Sequence, residues 1–531
     1  MSIKKVITQN SLVIVLIIIS VLICMFWGFR KADFFMDEIY SFGLSNSYYA
    51  PFLSDITGGN LVGNTLSGRE ISEYLSVGNN DRFAVGSVIY NQSCDVHPPF
   101  FYVLLNAFSS FFAGNHSKWI GLLPNIIYYA ATLLLLYLLT IVIFKEIKYG
   151  IIAVLLYGFE KGAFSSVMMI RMYMLKALLT TALAFVTMLF FQKNLNDRKW
   201  NERIILAIAV FLIVFLGLST QYFFVFYAFF ISVFAFFMLI RKYYSNAVVF
   251  SLSSLGGAAS FIVFYQTYLH NINNQDVQNR IKDNAIAVSQ YFKKVMWFTV
   301  HSAEEYPLAF ILSFIILFCL LIMKAKIKGF RIEETDSFVL IICIPAIISF
   351  LFISVSVYYW DLRYIYSLMP VLMLLPVWAF SLYERNVSHI YLKPLYILII
   401  IAITIIIGLI REPAWVYSDH TGKYNGLAGK GKIPCVYYLT DNNPAVPSVT
   451  QDLFQLVSFD TIYFVNSDTS NSIDEYLKQY ESDKYVLYIM DFYNKLDREG
   501  IAEKIVKTTG YDKYEFLYER DSSAVFLISN S

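Results

Sequence analysis

Apolar runs of about 20 residues recur between residues 11 and 410, and they constrain the fold of this chain more than any other feature. A helix rises about 1.5 Å per residue, so a run of that length spans the hydrocarbon core of a bilayer. Only 15% of the residues are charged, whereas a soluble domain carries about 25%. The sequence therefore predicts an integral membrane protein with many helices.

The first run, residues 11–29, follows Lys4 and Lys5. Residues 24–28 contain no small-x-small cleavage site, so the run predicts an uncleaved transmembrane helix rather than a signal peptide. Because basic residues collect on the inner side of a membrane, the N-terminus is predicted to be cytoplasmic and the end of this helix to lie outside.

The run at residues 98–113 decides the remaining topology. At about 24 Å it is shorter than the ~30 Å hydrocarbon core, so it is either a short span or a helix on the outer surface. If it lies on the surface, the basic loops near residues 145, 198, 241 and 326 all become cytoplasmic, as the positive-inside rule requires. We therefore predict one interfacial helix and eleven transmembrane helices. The ten spans after the first are 119–144, 149–168, 172–191, 204–219, 222–240, 247–268, 307–323, 337–357, 364–382 and 394–410.

Residues 411–531 differ in character, because short β-type runs such as Cys435–Leu439 replace the long apolar ones. Helical stretches at 473–480 and 499–508 alternate with them. This pattern predicts a small α/β domain with a mostly parallel sheet outside the cytoplasm, following a transmembrane domain at 1–410. The other β-type runs are 461–465, 485–490, 514–518 and 524–528.

Asp37 and Glu38 stand just past the first apolar run, where the chain leaves the membrane on its outer side. As isolated charges they would be solvated loop acids. A carboxylate at a membrane surface, partly shielded from water, is also suited to act as a general base on a hydroxyl. Neighbouring side chains of an extended segment point to opposite sides, so only one of the two is expected to face a reacting atom.

Asp95 and His97 lie just before the run 98–113. Proline in the first turn of a helix is ordinary, so Pro98 and Pro99 indicate only that a helix begins. His97 has four uses that the sequence leaves open: to bind phosphate, to orient a carboxylate, to ligate a metal or to cap the helix.

Two further clusters carry charge in or near the membrane. Glu160 and Lys161 lie inside an apolar segment, where ionisable groups either pair with each other or line a polar cavity. Arg171 and Arg363 stand at the outer ends of predicted helices. A guanidinium suits bidentate phosphate binding, although an arginine that snorkels to the lipid headgroups has the same sequence pattern. Two arginines on the face that carries the acids favour an anionic lipid ligand.

Several function classes lack their signatures in this sequence. There is no P-loop and no G-x-G-x-x-G motif, so nothing indicates a nucleotide substrate, and no basic stripe indicates nucleic acid. The five cysteines show no C-x-x-C pair, so neither a zinc site nor a disulfide framework is predicted. A bridge between Cys94 and Cys435 stays open.

Together, these stretches resemble the GT-C glycosyltransferases, in particular the protein O-mannosyltransferases and the lipid A aminoarabinose transferases. The resemblance covers residues 1–410 and rests on four motifs, at residues 36–41, 95–102, 171–175 and 362–364. Each motif is short, and it is their order and shared membrane face that make the set specific.

The resemblance implies an enzyme that takes a sugar from a polyprenyl-phosphate donor and transfers it outside the cytoplasm. It implies that Asp37 is the catalytic carboxylate and that arginines hold the donor phosphate. Many relatives carry an acid two residues before the first arginine, where this chain has Met169. The function of that acid is therefore missing here unless Glu160 replaces it. The full candidate set is Asp37, Glu38 and His97 as catalytic residues, Arg171, Tyr173, Arg363 and Tyr364 at the phosphate, and Asp95, Glu160 and Lys161 lining the site.

The acceptor, a hydroxyl on a cell-envelope polymer, lipid or protein, is left open, as are the sugar and a divalent metal near Asp37 and His97. The competing class is a multi-helix transporter or flippase of lipid-linked sugars, which would hold its charges near the bilayer midplane on broken helices. A third alternative is a scaffold whose outer domain binds wall polymer. Charged clusters confined to one membrane face favour the enzyme.

The topology gives a first test by cysteine labelling with an impermeant reagent in intact cells. Single cysteines at residue 115 and in the tail 411–531 are expected to react, whereas cysteines at 146, 197 and 327 are expected to stay protected. The native Cys94 and Cys435, which are both predicted to lie outside, are replaced by serine as background. Labelling of residue 146 from outside would contradict the interfacial assignment of the run 98–113.

Overall fold

The structure, a computed structural model, describes residues 11–266, 288–311, 333–386, 394–440, 451–480, 482–491, 496–520 and 522–530. Its α-helices are Ser11–Arg30, Met36–Asn46, Gly68–Leu75, Val85–Ser93, Phe100–Phe111, Lys118–Phe144, Ile147–Gly158, Lys161–Met168, Tyr173–Gln192, Trp200–Thr220, Phe224–Lys242, Tyr244–Phe264, Val288–Glu305, Glu334–Ser356, Met369–Leu372, Leu374–Asn386, Pro394–Ile410, Leu453–Leu456, Ile473–Lys478 and Arg498–Thr509. Short 3-10 turns are Leu53–Thr57, Leu195–Asp197, Leu362–Tyr364, Tyr366–Leu368, Ser418–His420, Lys423–Leu427 and Ser470–Ser472.

Eight helices in the described part of the chain are long and apolar enough to cross a membrane, judged by length and composition. A ninth results if Ile147–Gly158 and Lys161–Met168, which meet at a bend of 60°, form one broken span. The prediction of a multi-pass helical membrane protein is confirmed. Of the predicted span 307–323, the part beyond residue 311 lies outside the described residues, and 394–410 is a helix of 17 residues.

The short apolar helix covers Phe100–Phe111, whereas the sequence predicted 98–113. It begins after the two prolines and has 12 residues, or about 18 Å, which is too short to cross the bilayer alone. Its position at the membrane interface stays a prediction.

The region 30–97, predicted as a polar loop, contains three helices and a strand. The helix Gly68–Leu75 begins at a capping box, in which Ser67 Oγ accepts from the backbone N–H of Glu70 at 3.2 Å. The Glu70 carboxylate accepts in return from the backbone N–H of Ser67 at 2.7 Å. This S-x-x-E signal is visible in the sequence and predicts a helix start.

A sheet of six strands joins this region to the C-terminal segment, in the spatial order β1-β3-β2-β4-β6-β5. β2 pairs in parallel with β3 and β4, but the other three pairings are antiparallel. The prediction of a mostly parallel sheet is therefore wrong, because β5 and β6 form a hairpin and β1 comes from far upstream. The strands are β1 Thr65–Leu66, β2 Cys435–Leu439, β3 Ile462–Val465, β4 Lys484–Met490, β5 Lys513–Arg520 and β6 Ser523–Ser529.

The core of the sheet domain forms where apolar side chains of the strands meet the two longer helices. Buried residues Ile473 and Leu477 from one helix, and Ile505 from the other, pack with Leu487 and Phe526 of the strands. This packing fits the alternation of apolar runs and helical stretches that the sequence shows after residue 411. Cys94 and Cys435 are both free thiols, so the bridge left open by the sequence is not formed.

The chain divides into two compact units by backbone packing. The first consists of Met1–Phe29, Val96–Phe101 and Leu122–Ala414, and the second of Arg30–Asp95, Tyr102–Gly121 and Trp415–Ser531. The predicted domain boundary at residue 411 lies close to Trp415, where the second unit resumes. Nothing in the sequence indicated that upstream residues join the C-terminal segment.

Candidate active site

Asp37 and Glu38 occupy the first turn of the helix Met36–Asn46. The expectation of an extended segment is wrong, because extended backbone ends at Phe35 and the helix begins directly after it. Successive residues of a helix are separated by about 100° around its axis, so the two carboxylates still face different surroundings.

Glu38 is fully buried, and its carboxylate is engaged on two sides. Its Oε2 accepts a hydrogen bond from the backbone N–H of Phe35 at 2.7 Å and pairs with Lys31 Nζ at 3.0 Å. The first contact satisfies one of the donors that a helix start leaves open. Glu38 therefore holds the beginning of the helix, and this role makes it a poor candidate for proton transfer.

Lys31, the partner of Glu38, has a fully buried side chain. Burial lowers the pKa of Lys31, and the neighbouring Glu38 carboxylate opposes that shift. Its Nζ also donates to the carbonyl of Trp415. The charge of Lys31 is thus held by one carboxylate and one carbonyl inside the second unit.

Asp37 is half-buried. Its backbone carbonyl accepts a hydrogen bond from Ser41 Oγ at 3.0 Å, one turn further along the helix. A carboxylate in the first turn of a helix interacts favourably with the helix dipole. Of the two acids, Asp37 is therefore the one whose position suits a general base.

Asp95 and His97 follow the end of the helix Val85–Ser93, and both are half-buried. The carbonyl of His97 accepts a hydrogen bond from the hydroxyl of Tyr265 at 3.5 Å. The helix begins only at Phe100, so His97 lies three residues outside it. This places His97 too far upstream for the capping role that the sequence left open, and its other uses stay predictions.

The two predicted arginine clusters meet through their tyrosines. The rings of Tyr173 and Tyr364 lie edge to face with centroids 6.0 Å apart. Arg363 lies over the ring of Tyr364, 5.2 Å from its centroid, and its Nε is 3.3 Å from a carboxylate oxygen of Asp361. Arg171 precedes Tyr173 by two residues, and the side chains of both arginines are buried.

Lys176 joins this cluster, although the sequence analysis did not single it out. Its Nζ donates to the carbonyl of Tyr364 at 3.4 Å and lies 5.8 Å from the ring centroid of Phe223. Lys176 is buried within the apolar helix Tyr173–Gln192. Burying a lysine in a transmembrane span costs free energy, and such lysines are usually functional. The position of Lys176 in an apolar run is therefore a sequence signal that could have identified it.

The fold of this chain is similar to that of solved structures. No protein-family profile matches the chain, and no curated protein matches it. A crystal structure of ArnT from Cupriavidus metallidurans bound to undecaprenyl phosphate aligns with a TM-score of 0.53 at 10% identity, covering 98% of each chain. ArnT is a lipid A aminoarabinose transferase with the GT-C architecture.

This chain has a GT-C fold. The apo structure of the same ArnT aligns with a TM-score of 0.45 at 11% identity, covering 92% of this chain and 96% of that one. An oligosaccharyltransferase from Archaeoglobus fulgidus, tethered to an acceptor peptide, gives 0.43 at 11% identity, covering 99% of this chain and 74% of that one. At such identities the agreement concerns the fold alone, and it is the first alignment that establishes it.

Within this GT-C fold, Glu160 and Lys161 lie at the bend between two helices and have different partners. Glu160 is fully buried and accepts a hydrogen bond from the backbone N–H of Leu308 at 2.9 Å. Lys161 pairs with Glu305 at 2.7 Å. The two side chains therefore do not form the mutual pair that the sequence allowed.

Met169, which stands where many relatives have an acid, is buried. Its backbone carbonyl accepts a hydrogen bond from the backbone N–H of Arg171.

A metal site was left open by the sequence. Across the ranges that the structure describes, no group of three or more His, Cys, Asp or Glu side chains is placed to hold a metal ion. A divalent metal near Asp37 and His97 stays an open prediction, and nothing in the mechanism proposed below depends on it.

The buried ion pair between Glu38 and Lys31 gives a prediction about stability. Glu38→Gln is expected to destabilise the protein, because Lys31 would keep a buried charge without its carboxylate partner. Breaking such a pair costs about 3–5 kcal/mol in general. The apparent Tm in detergent should fall clearly below that of the parent, and Lys31→Met combined with Glu38→Gln should recover much of the loss. An unchanged Tm in the single variant would show that the pair does not hold the helix.

Proposed function

We propose that this chain is a glycosyltransferase that moves a sugar from a polyprenyl-phosphate donor to an acceptor hydroxyl on the outer face of the membrane. The fold is that of ArnT, which has been solved with undecaprenyl phosphate bound. The observation that carries the proposal is the cationic cluster around Tyr173 and Tyr364, because its buried guanidinium groups suit the phosphate of such a lipid.

The burial of the arginines supports phosphate binding over snorkelling to the lipid headgroups, the two interpretations that the sequence left open. An arginine that only snorkels keeps its guanidinium in the headgroup region, outside the protein. Arg171 and Arg363 are instead 4% and 6% exposed. Arg363 pairs with Asp361, and the planar fork of a guanidinium also suits the oxygens of a phosphate. Lys176 adds a third positive charge near the same tyrosines.

The reaction proposed is a single displacement with inversion at the anomeric carbon. Asp37 accepts the proton of the acceptor hydroxyl as the hydroxyl oxygen bonds to that carbon. The bond from the carbon to the phosphate oxygen breaks, and polyprenyl phosphate leaves with its electron pair. Arg171 and Arg363 stabilise the charge that develops on the leaving phosphate, which is most effective in a site of low dielectric.

The remaining candidates receive supporting roles. Tyr173 and Tyr364 present ring edges and hydroxyls beside the phosphate, and Asp95 and His97 stay candidates for orienting the acceptor. Glu38 is assigned to the helix start, as its contacts with Phe35 and Lys31 indicate. The acceptor is a hydroxyl on an envelope polymer, lipid or protein, and the N-terminus is cytoplasmic by the positive-inside rule.

A flippase of lipid-linked sugars is the second candidate, and one observation favours it. The span that contains Glu160 is broken by a 60° bend, and broken helices with buried charges are typical of transporter binding sites. Enzyme and flippase differ in what they need, because transfer proceeds in detergent whereas flipping needs a bilayer.

The deciding experiment uses purified protein in detergent with a panel of radiolabelled sugars on polyprenyl phosphate. Envelope extracts supply the acceptors. Transfer of label to an acceptor, with inverted anomeric configuration by NMR, is expected. If no donor in the panel is used, and reconstituted vesicles instead move the labelled lipid between leaflets, the flippase replaces the enzyme.

Asp37→Asn tests the base. The substitution keeps the shape of the side chain but removes the proton acceptor, so turnover should fall about 10²–10⁴-fold, the usual contribution of general-base catalysis. The Tm and the donor affinity should stay at parent values, in contrast to Glu38→Gln, which is expected to lower the Tm. Parent turnover in a well-folded Asp37→Asn protein would remove Asp37 from the mechanism.

Arg363 tests the phosphate site. Arg363→Ala removes the charge-assisted contact and is expected to abolish nearly all activity by weakening donor binding. Arg363→Lys keeps the charge but loses the fork, so its donor affinity should be intermediate. Binding of a labelled polyprenyl phosphate measures the effect directly. Parent affinity in both variants would mean that Arg363 does not contact the donor.

A further inference from the structure

The segment Lys31–Phe35, which leads into the helix of Asp37, is bound by C-terminal residues along most of its length. Lys31 Nζ donates to the carbonyl of Trp415, and the backbone N–H of Ala32 donates to the carbonyl of Val416 at 2.8 Å. These contacts join positions more than 380 residues apart in the chain. The C-terminal segment therefore reaches the residues directly before the proposed base.

Asp33 is the centre of these contacts. Its carboxylate is 3% exposed, and it receives four donors. These are His420 Nδ1 at 2.7 Å, the backbone N–H of Phe34 at 2.7 Å, Arg520 Nη2 at 3.1 Å and the hydroxyl of Tyr424. Burial raises the pKa of Tyr424, which keeps the phenol protonated as a donor. Asp33 is thus fixed on several sides at once.

Arg520 adds a direct contact to the backbone in front of the helix. Its side chain is buried, and Nη2 donates to the carbonyl of Phe34 at 2.6 Å. Nη1 donates to Gln455 Oε1 at 3.1 Å and to the carbonyl of Gln451. The carboxylate of Asp452 lies 3.9 Å from the same nitrogen. One guanidinium therefore links the sheet domain to both Asp33 and Phe34.

The strand geometry explains why Arg520 points inward. β5 is an edge strand whose first four residues are exposed, while Tyr518 and Arg520 near its end are buried. Residues two apart share one face of a strand, so both side chains turn to the same side. Tyr518 contacts the ring of Tyr424 edge to face at 5.0 Å, which places it beside the donors of Asp33.

Apolar contacts support the same segment. The ring of Phe34 stacks on Phe454 with centroids 4.0 Å apart, and Phe42 from the Asp37 helix meets Phe454 at 5.8 Å. About 100° around that helix, a Cβ added to Gly43 would lie 2.3 Å from the hydroxyl of Tyr74. Only glycine lets the helix approach Tyr74 this closely. The helix is therefore held from two directions.

We propose that the C-terminal sheet domain positions the general base and that Arg520 is its positioning residue. This inference rests on the proposed function, because it assumes that Asp37 is the base. Arg520 does not touch the reacting atoms. It fixes Asp33 and Phe34, which set where the helix begins and so where the Asp37 carboxylate stands. A displacement of about 1 Å at a reacting group lowers rates on the order of 10²-fold.

Arg520→Lys and Tyr424→Phe test the proposal, with Lys507→Gln as the matched control. Lys507 lies in the same domain but is exposed and pairs with Glu503 one turn away. In Arg520→Lys, kcat per donor-bound enzyme is expected to fall roughly 10–100-fold while donor affinity stays at the parent value. Tyr424→Phe removes one of four donors to Asp33 and should cause a smaller loss in kcat. The control should retain the kcat of the parent.

Hydrogen exchange gives a readout that does not depend on turnover. In Arg520→Lys, amides of residues 33–40 should exchange faster, while those of β4 and β6 keep their protection. Faster exchange throughout the sheet, together with a loss of donor binding, would show a merely structural role and overturn the proposal. If Arg520→Lys does not fold, Tyr424→Phe provides the same comparison, and unchanged kcat and unchanged exchange in that variant would overturn it.

The outcome can be told apart from failure of the proposed function. If the parent transfers sugar and Asp37→Asn does not, yet the Arg520 and Tyr424 variants keep full kcat, the positioning role is wrong and the enzyme stands. A second outcome is that the parent transfers no sugar while Arg520→Lys still shows faster exchange at residues 33–40. In that case Arg520 does hold this segment, and the proposed glycosyltransferase function is wrong.

Discussion

Ionised side chains that are buried away from water have to be paired, and this constraint governs the chain between the first span and Asp37. Four charged side chains, those of Lys31, Asp33, Glu38 and Arg520, are almost completely buried in the second unit. Leaving any one of them without its partner would cost several kcal/mol. The segment can therefore adopt few positions, and rigidity at this point is a consequence of electrostatics more than of apolar packing.

The same constraint separates structural charges from candidate ligand contacts in the helical unit. Lys161 has a carboxylate partner in Glu305, so its charge is already satisfied. Lys176 is buried more deeply than Lys161, and its partners within the described residues are a backbone carbonyl and the ring of Phe223. A cation held by dipoles and a ring alone still favours an anion nearby. In the proposed mechanism, the phosphate of the donor is that anion.

The elements that the sequence predicted well are those fixed by local physical limits. Bilayer thickness fixes the length of a span, so runs such as 11–29 and 119–144 agree closely with the helices Ser11–Arg30 and Lys118–Phe144. β2 was predicted at its observed bounds, because five β-prone residues lie between turn residues. The capping box at Ser67 was an equally local signal, and it was missed because the polar composition of the region indicated a loop.

What could not be predicted depends on partners that are distant in the sequence. Arg520 and Phe34 are separated by 486 residues, and an arginine at the end of an edge strand ordinarily faces solvent. The parallel pairing of β2 with β3 and β4 fitted an α/β pattern, but the addition of β1 from residues 65–66 leaves no local trace. Long-range pairing of this kind is set by burial, which one sequence without its fold does not reveal.

The two adjacent acids show how this division of roles arises. At a helix start, the residue in the third position can turn its carboxylate back to the backbone in front of the helix, and Glu38 does so at Phe35. Asp37, one residue earlier, is about 100° away around the axis and does not share that geometry. The contacts that occupy Glu38 also fix the rotation of the first turn, and with it the direction of the Asp37 carboxylate. In the proposed mechanism, Glu38 therefore serves the structure of the helix start while Asp37 is held in place to act as the base.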